Sequence, residues 1–108
     1  MEIAFDEFMK LELQVGTVVL AERVPGADKL YKLSVDMGSE KRTLVAGVAQ
    51  QYSPEELVGR QIVVVANLAP RALRGIISQG MLLAAEGESG AVSILSPDKK
   101  VQNGSRVR

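Results

Sequence analysis

Arg71 and Arg74 are the residues whose type and spacing best suit chemistry with a charged ligand. They lie in residues 67–85, NLAPRALRGIISQGMLLAA, between the apolar run at 62–66 and a second apolar run at 81–85. This pattern predicts a strand, a basic loop and a second strand. A guanidinium offers a planar fork of donors that matches phosphate oxygens, so the loop is a candidate phosphate site. The alternative is a solvated hairpin tip whose arginines meet only water.

The charges of the chain are balanced in number but uneven in position. Thirteen Lys+Arg oppose thirteen Asp+Glu, so affinity for a polyanion must come from where the cations lie. Residues 58–85 contain three arginines and no acid. Residues 1–12 contain four acids and one lysine, whereas residues 99–108 contain four basic residues and no acid. These opposite termini are predicted to pair, either within one chain or between two.

The composition argues against catalysis. The chain has no histidine and no cysteine, which excludes a zinc site, a histidine base and a thiol nucleophile. The adjacent carboxylates Asp6-Glu7 and Glu55-Glu56 point in different directions on a short helix and cannot share one substrate. We therefore expect a binding protein with no enzymatic activity and no cofactor. The lack of cysteine, signal peptide and membrane segment favours the cytoplasm.

The periodicity predicts an all-β domain spanning residues 1–108. Alternating or apolar runs predict strands at 13–24, 30–37, 42–49, 62–66 and 81–85, with a bend at Gly16 and a short extra strand at 91–95. Ser53 and Pro54 predict a short helix within 52–59. Residues 3–13 predict one or two helical turns that pack Phe5 and Phe8 inward.

This element order is typical of an OB-fold, a five-stranded Greek-key barrel with a short helix between strands 3 and 4, here with N- and C-terminal extensions. The alternative is another small antiparallel barrel or sandwich. OB-folds bind ligands on strands 2 and 3 and the flanking loops. That face would gather five cations: Lys29, Lys32, Arg42, Arg71 and Arg74. Because aromatic stacking groups are scarce, recognition of RNA backbone shape is favoured over general single-strand binding.

The chain resembles the tRNA-binding domain found at the C-terminus of many methionyl-tRNA synthetases, in stand-alone dimeric tRNA-binding proteins and in the human synthetase-associated cytokine precursor. The resemblance extends from FDEFMKLELQVGTV through KRTLVAGVAQQYSPEELVGRQIVVVANL to SPDKKVQNGSRVR, and its signature is NLAPRALRGIISQGMLLAA. It implies binding to the elbow of L-shaped tRNA, a homodimer, and an aminoacyl-tRNA synthetase as a possible partner, with no reaction performed. Met1 directly before the first motif suggests a free-standing protein.

The resemblance also implies which residues contact tRNA. Asn67, Ser78 and Gln79 have structural alternatives as turn caps or loop hydrogen bonders, and Met81 as core filler. Ala72 and Ala46 depart from the basic residue and the serine that are common in the family, which weakens the site. The residues carried over are Lys29, Arg42, Asn67, Arg71, Arg74, Ser78, Gln79 and Met81; Lys32 joins them because of its position on strand 2.

Two other functions stay open at this point. One is a CsaA-like export chaperone that binds unfolded polypeptides through a hydrophobic cavity. The other is a purely structural module recruited by a synthetase. The segment SQGMLLAA resembles the synthetase branch more than the chaperone branch, which favours RNA.

Overall fold

The computed structural model describes all residues 1–108, and antiparallel strands make up most of its regular structure. In chain order the elements are α1 (Phe5–Phe8), β1 (Leu13–Val24), β2 (Ala27–Asp36), β3 (Lys41–Ala46), α2 (Pro54–Leu57), β4 (Gln61–Val65), β5 (Arg71–Leu73), β6 (Ile76–Ser78), β7 (Met81–Leu82), β8 (Ala84–Glu86), β9 (Val92–Ile94) and β10 (Arg106–Val107). No helix is long and apolar enough to cross a membrane.

The main sheet is organised around β1, which pairs with three other strands. Its first half, Leu13 to Thr17, pairs with β4, and its second half pairs with β2 from Thr17 onward. Gly16 lies where the two halves meet, and a Cβ there would lie 2.6 Å from the Met37 sulfur. The register shift itself falls just beyond, between Val18 and Leu20, as expected for a bulge in a strand that serves two sides of a barrel.

The sheet closes through residues 78 and 79, which reach the free edge of β3. The sheet order is β3-β2-β1-β4-β7. The Gln79 N–H donates to the Thr43 carbonyl at 2.8 Å, and the Thr43 N–H donates to the Gln79 side-chain oxygen at 3.0 Å. Because β7 follows directly and pairs with β4, this segment joins the two ends of the sheet. The predicted all-β class and OB-like fold are confirmed, whereas the Greek-key order of a five-stranded barrel stays a prediction.

The core lies inside this curved sheet and follows the predicted alternation of β2. Tyr31, Leu33 and Val35 are fully buried, and they pack with buried residues of β3 and β4 such as Leu44 and Ile62. The Tyr31 hydroxyl donates to the Tyr52 carbonyl at 2.7 Å, so its polar end is satisfied inside the core. Burial of this apolar face is the main stabilising contribution to the fold.

Helix α2 begins as the sequence predicts. Ser53 is its N-cap, Pro54 follows, and the Ser53 hydroxyl accepts from the Glu56 N–H while the Glu56 carboxylate accepts from the Ser53 N–H at 2.8 Å. This reciprocal pair is a capping box. The hydrogen bond from the Ser53 backbone, with a smaller contribution from its side chain, lowers the pKa of Glu56. The helix is one turn long, as the residues predicted to bound it indicate.

The terminal segments differ from the sequence-based expectation. Phe5 is 73% exposed, so the prediction that it packs inward is wrong; only Phe8 packs, half-buried, against the small cluster of Leu13, Val63 and Val65. Four helical residues lie beside the barrel and do not reach its core.

The charged termini do not form ion pairs within the chain. Arg106 instead donates to the carbonyl oxygens of Met9 (3.1 Å) and Leu11 (3.3 Å), which are uncharged acceptors. The one salt bridge in the structure joins Arg42 and Glu40. Of the two alternatives, pairing of opposite charges between two chains is therefore the one that stays a prediction.

Candidate nucleic-acid interface

The predicted basic loop is a two-stranded hairpin. β5 and β6 pair with Arg71 opposite Ser78 and Leu73 opposite Ile76, and Arg74-Gly75 forms the two-residue connection. Both connecting residues have positive φ, 52° at Arg74 and 79° at Gly75. This is the pattern of a type I′ turn, whose twist matches that of the flanking strands. The hairpin carries the two arginines on a defined backbone.

Arg74 lies at the tip of this hairpin in an unfavourable backbone conformation. It is the only non-glycine residue with a positive φ, in a region where an L-residue costs about 1 kcal/mol. Its side chain is exposed and has no hydrogen-bond or ion-pair partner within the chain. An arginine at this position therefore weakens the turn while it presents a free guanidinium to solvent.

Arg71 lies on the face of the hairpin that looks toward the barrel. Alternation places Arg71 and Leu73 on one face, and both line the cavity described below; Ala72 lies on the other face and is exposed. Arg71 is exposed and forms no ion pair. The third arginine of the 58–85 stretch, Arg60, is engaged elsewhere, since it donates to the Glu56 carbonyl at 3.2 Å and lies over the Tyr52 ring.

Arg42 has partners within the protein. One terminal guanidinium nitrogen donates to the carbonyl oxygens of Ala66 and Gln79, the latter at 3.2 Å, and the other pairs with Glu40 at 3.2 Å. Ala66 and Gln79 are the residues on either side of the 67–78 excursion. Arg42 therefore holds the two ends of the basic segment together, and it does not offer a free cation to a ligand.

Ser78 and Gln79 also make the structural hydrogen bonds that were their alternative interpretation. The Ser78 side chain is 4% exposed; its oxygen accepts from the Val45 N–H at 3.0 Å and donates to the Gly80 carbonyl at 2.9 Å. Gln79 is bonded to Thr43 through both its backbone and its side chain. Both residues attach the hairpin to β3, and their contact with tRNA stays a prediction.

Asn67 joins the start of the basic segment to the N-terminal segment. Its side-chain nitrogen donates to the Lys10 carbonyl at 2.6 Å, and its side-chain oxygen accepts from the Glu12 N–H at 2.9 Å. The side-chain amide of Asn67 thus bonds to the backbone through both its oxygen and its nitrogen, as the main chain of a paired strand residue does. Asn67 therefore does not cap a local turn, because its partners Glu12 and Lys10 lie 55 and 57 residues away in sequence.

The two lysines of β2 lie in different settings. Lys32 is exposed and pairs with Val45 on β3. The Val45 N–H donates to the Ser78 side chain at 3.0 Å, and Ser78 pairs with Arg71 within the hairpin. Lys29 lies in a bulged stretch, because Arg23 pairs with Tyr31 whereas Val24 pairs with Ala27. Lys32 is thus linked to the hairpin through its neighbour on β3, whereas Lys29 has no such link.

Met81 lies at the mouth of a cavity. It is 46% exposed and pairs with Val65, so the core-filler alternative is wrong. The cavity has a volume of about 410 Å³ and lies between the end of β3, the hairpin and β7–β8. Ala46, one of the departures from the family pattern, forms part of its apolar wall. Sequence reasoning missed this cavity, because its lining residues are scattered along the chain from Val45 to Val92.

Family membership follows once this architecture is compared with known proteins. A family model described as "Putative tRNA binding domain" matches residues 13–106, which include the hairpin and every strand of the main sheet except the last residue of β10. The chain belongs to this family. A methionine–tRNA ligase from Parabacteroides distasonis is 54% identical over 106 residues, 98% of this chain, and the chain spans 16% of that enzyme's length.

Solved structures show the same fold over the full chain. A MetRS-related protein from Pyrococcus horikoshii superposes with a TM-score of 0.94 at 45% identity, with 100% of both chains covered. The chaperone CsaA from Bacillus anthracis gives a TM-score of 0.91 at 32% identity, again with 100% of both chains covered. One fold thus occurs in a synthetase-related protein and in a chaperone, and the site residues must distinguish the ligands.

Proposed function

We propose that this chain binds folded tRNA at the outer corner of the L, with Arg71 and Arg74 contacting phosphates. The observation that carries the proposal is the β5–β6 hairpin of a tRNA-binding-domain family member, which exposes two arginines with no partner inside the chain. Lys32 extends the positive surface along the neighbouring strands. Binding through phosphates is expected to read shape, since backbone contacts carry no base sequence directly.

The remaining predicted residues either position the hairpin or contact the RNA themselves. Arg42, Asn67, Ser78 and Gln79 position the hairpin through the hydrogen bonds described above. Met81, like Arg71, lines the cavity and would contact the ligand there. Lys29 makes a more distant contact, if the tRNA extends across the bulge of β2.

The chain would act as one binding domain over residues 1–108, without a reaction or a cofactor of its own. Similarity to methionine–tRNA ligases supports a role in supplying tRNA affinity to an aminoacyl-tRNA synthetase, either as part of one or as a separate cytoplasmic protein. Affinity for tRNA would assist aminoacylation by raising the concentration of tRNA near the synthetase.

A homodimer is part of the same proposal. Ile3 and Phe5 are 59% and 73% exposed on the N-terminal segment, and Leu11 is 42% exposed. Large apolar side chains exposed close together are typical of interaction surfaces. The acids of this segment have no intrachain ion pair, so the basic C-terminal segment of a second copy can supply one. Sedimentation analysis of Phe5→Ser beside the unaltered protein tests this, with a shift toward monomer expected.

The tRNA proposal is tested with two transcripts of the same tRNA. One keeps the contacts that form the elbow, and the other carries substitutions that separate the two arms without changing length or charge. Tighter binding to the intact transcript by at least about tenfold, or about 1.4 kcal/mol, is expected. Equal affinity for both would contradict elbow recognition, and no binding to either would contradict tRNA binding altogether.

Binding of unfolded polypeptides is the second candidate function, because the chaperone CsaA shares the fold and the cavity wall is mostly apolar. This candidate predicts suppression of aggregation of a denatured test protein at stoichiometric concentration, undiminished in Arg71→Ala. The tRNA proposal predicts no such suppression.

A further inference from the structure

The cavity beside the hairpin combines an apolar wall with two charged groups at its edge. Its volume of about 410 Å³ lies in the range of about 300–1,000 Å³ typical of small-ligand sites. Aliphatic side chains form most of the wall, and Arg71 and Glu86 are its only charged lining residues. The main wall residues are Leu68, Leu73, Met81, Leu82, Leu83 and Val92.

The two charged residues are both available to a ligand. Arg71 and Glu86 are exposed, and neither forms an ion pair or a side-chain hydrogen bond within the chain. The other side-chain polar group at the cavity, the Ser78 hydroxyl, is buried and already bonded to Val45 and Gly80. A ligand in this cavity therefore meets one donor fork and one carboxylate acceptor.

We propose, resting on the tRNA-binding function above, that this cavity holds one unstacked nucleobase of the bound RNA. The base enters the aliphatic cavity, Arg71 contacts its phosphate, and Glu86 accepts a hydrogen bond from an amino group on the base edge. Bases in RNA loops are free to leave the stack and enter protein pockets. A carboxylate accepts from the amino group of cytosine, and a guanidinium binds phosphate in a fork.

The pair of opposite charges favours a nucleotide over an apolar peptide side chain. A nucleotide carries an anion at one end and amino donors at the other, so both charged groups gain a partner. An apolar side chain would cover Arg71 and Glu86 without satisfying either, and desolvating unpaired charges is unfavourable. The chain also has few exposed aromatic groups on which a base could stack, so enclosure by aliphatic side chains takes that role.

The sharpest test uses two neighbouring alanines on β8. Ala84 lines the cavity, whereas Ala85 does not, and both are exposed. Ala84→Leu fills the cavity, and Ala85→Leu adds the same bulk outside it. We expect Ala84→Leu to weaken tRNA binding by about tenfold without changing the salt dependence, because no phosphate contact is removed. Ala85→Leu should bind as the unaltered protein does.

A second cavity-filling variant helps to distinguish the effect of filling the cavity from the effect of misfolding. Ala69→Leu also fills the cavity from an exposed position, and melting temperatures identify any variant that has lost its fold. Full tRNA affinity in a folded Ala84→Leu and Ala69→Leu overturns the inference while leaving the tRNA-binding proposal intact. Failure of the unaltered protein to bind tRNA overturns both.

The class of occupant is tested by NMR with the Met81 methyl signal as reporter. The probes are the four nucleoside 5′-monophosphates and, separately, an uncharged apolar peptide. A Met81 shift with at least one nucleotide, lost in Ala84→Leu and reduced in Glu86→Gln for amino-bearing bases, is expected. A shift with the peptide alone, or with none of the probes, overturns the inference.

Discussion

Arg42 donates a hydrogen bond to the main-chain carbonyl oxygen of Gln79 at 3.2 Å, and it also bonds to the carbonyl of Ala66. These carbonyls precede and follow the 67–78 excursion, so one guanidinium closes the base of the basic hairpin. Glu40 fixes that guanidinium from the opposite side. The position of Arg71 and Arg74 relative to the barrel thus depends on Arg42, whose guanidinium is engaged within the protein.

Replacing Arg42 separates a positioning role from a phosphate contact. Arg42→Ala removes charge-assisted hydrogen bonds from a half-buried site, and the free energy of unfolding should fall by about 1–2 kcal/mol. The tRNA affinity should fall as the hairpin loosens, with little change in its salt dependence. Chemical denaturation and tRNA binding at several salt concentrations measure both.

Arg42→Lys is the matched control for this prediction. It keeps the charge, but its single ammonium nitrogen cannot take the places of the two guanidinium nitrogens that bond these acceptors, so it should restore little stability or affinity. Full recovery of tRNA binding by lysine, or a clear loss of salt dependence in Arg42→Ala, would show that Arg42 contacts phosphate directly.

The fold could be predicted from the sequence mainly where burial imposes an alternating pattern. Residues 30–37 were predicted as a strand because they alternate, and Tyr31, Leu33 and Val35 form its enclosed face. The two short strands within the predicted basic loop were missed because they are three residues long and their Arg74-Gly75 connection differs from the favoured Asn-Gly turn. Phe5 was misplaced because hydrophobicity alone does not distinguish a buried side chain from an exposed one.

Asn67 provides a second prediction about the N-terminal segment. Asn67→Ala removes two hydrogen bonds to Lys10 and Glu12, each contributing about 0.5–1.5 kcal/mol. The Glu12 amide should then exchange with solvent faster, because its acceptor is lost. Hydrogen-exchange NMR measures this, with Leu33 in the core as an unaffected reference. Unchanged protection at Glu12 would mean that the segment is held by other contacts.

Arg74 should show opposite effects on stability and on binding. Arg74→Asn places a residue that tolerates the left-handed region into a type I′ turn, so stability should rise by about 0.5 kcal/mol. The tRNA affinity should nevertheless fall, since one phosphate contact is lost. Arg74→Lys is the control: it retains a cation and the strained turn, and most of the affinity. A variant Arg74→Asn that binds tRNA fully would remove Arg74 from the interface.

The capping box of α2 gives a pH-dependent prediction. Folding lowers the pKa of Glu56, so its contribution to stability is present above the ordinary glutamate pKa of about 4.3 and is lost as pH falls through the lowered value. Glu56→Gln keeps a capping side chain that does not titrate. Its melting temperature should fall less than that of the unaltered protein between neutral pH and about pH 3. Glu55→Gln, outside the capping box, should behave as the unaltered protein; identical acid profiles for all three would contradict the prediction.

The site was less predictable than the fold, because residue type does not show where a side chain is bonded. Arg42 and Arg71 look alike in the sequence, yet only Arg71 is free of intrachain partners. Asn67 and Ser78 belong to the family signature, and their contacts in the structure are with distant backbone groups. A signature records residues that build the site as well as those that touch the ligand.

The salt dependence of tRNA affinity is the most direct test of the account. The logarithm of the association constant is measured against the logarithm of salt concentration for the unaltered chain, Arg71→Ala, Arg74→Ala and the double variant. Each removed phosphate contact should flatten the slope by about 0.7–0.9, so the double variant should lose roughly 1.5. Slopes that stay unchanged in all three variants would contradict the assignment of the β5–β6 hairpin as the tRNA-binding surface.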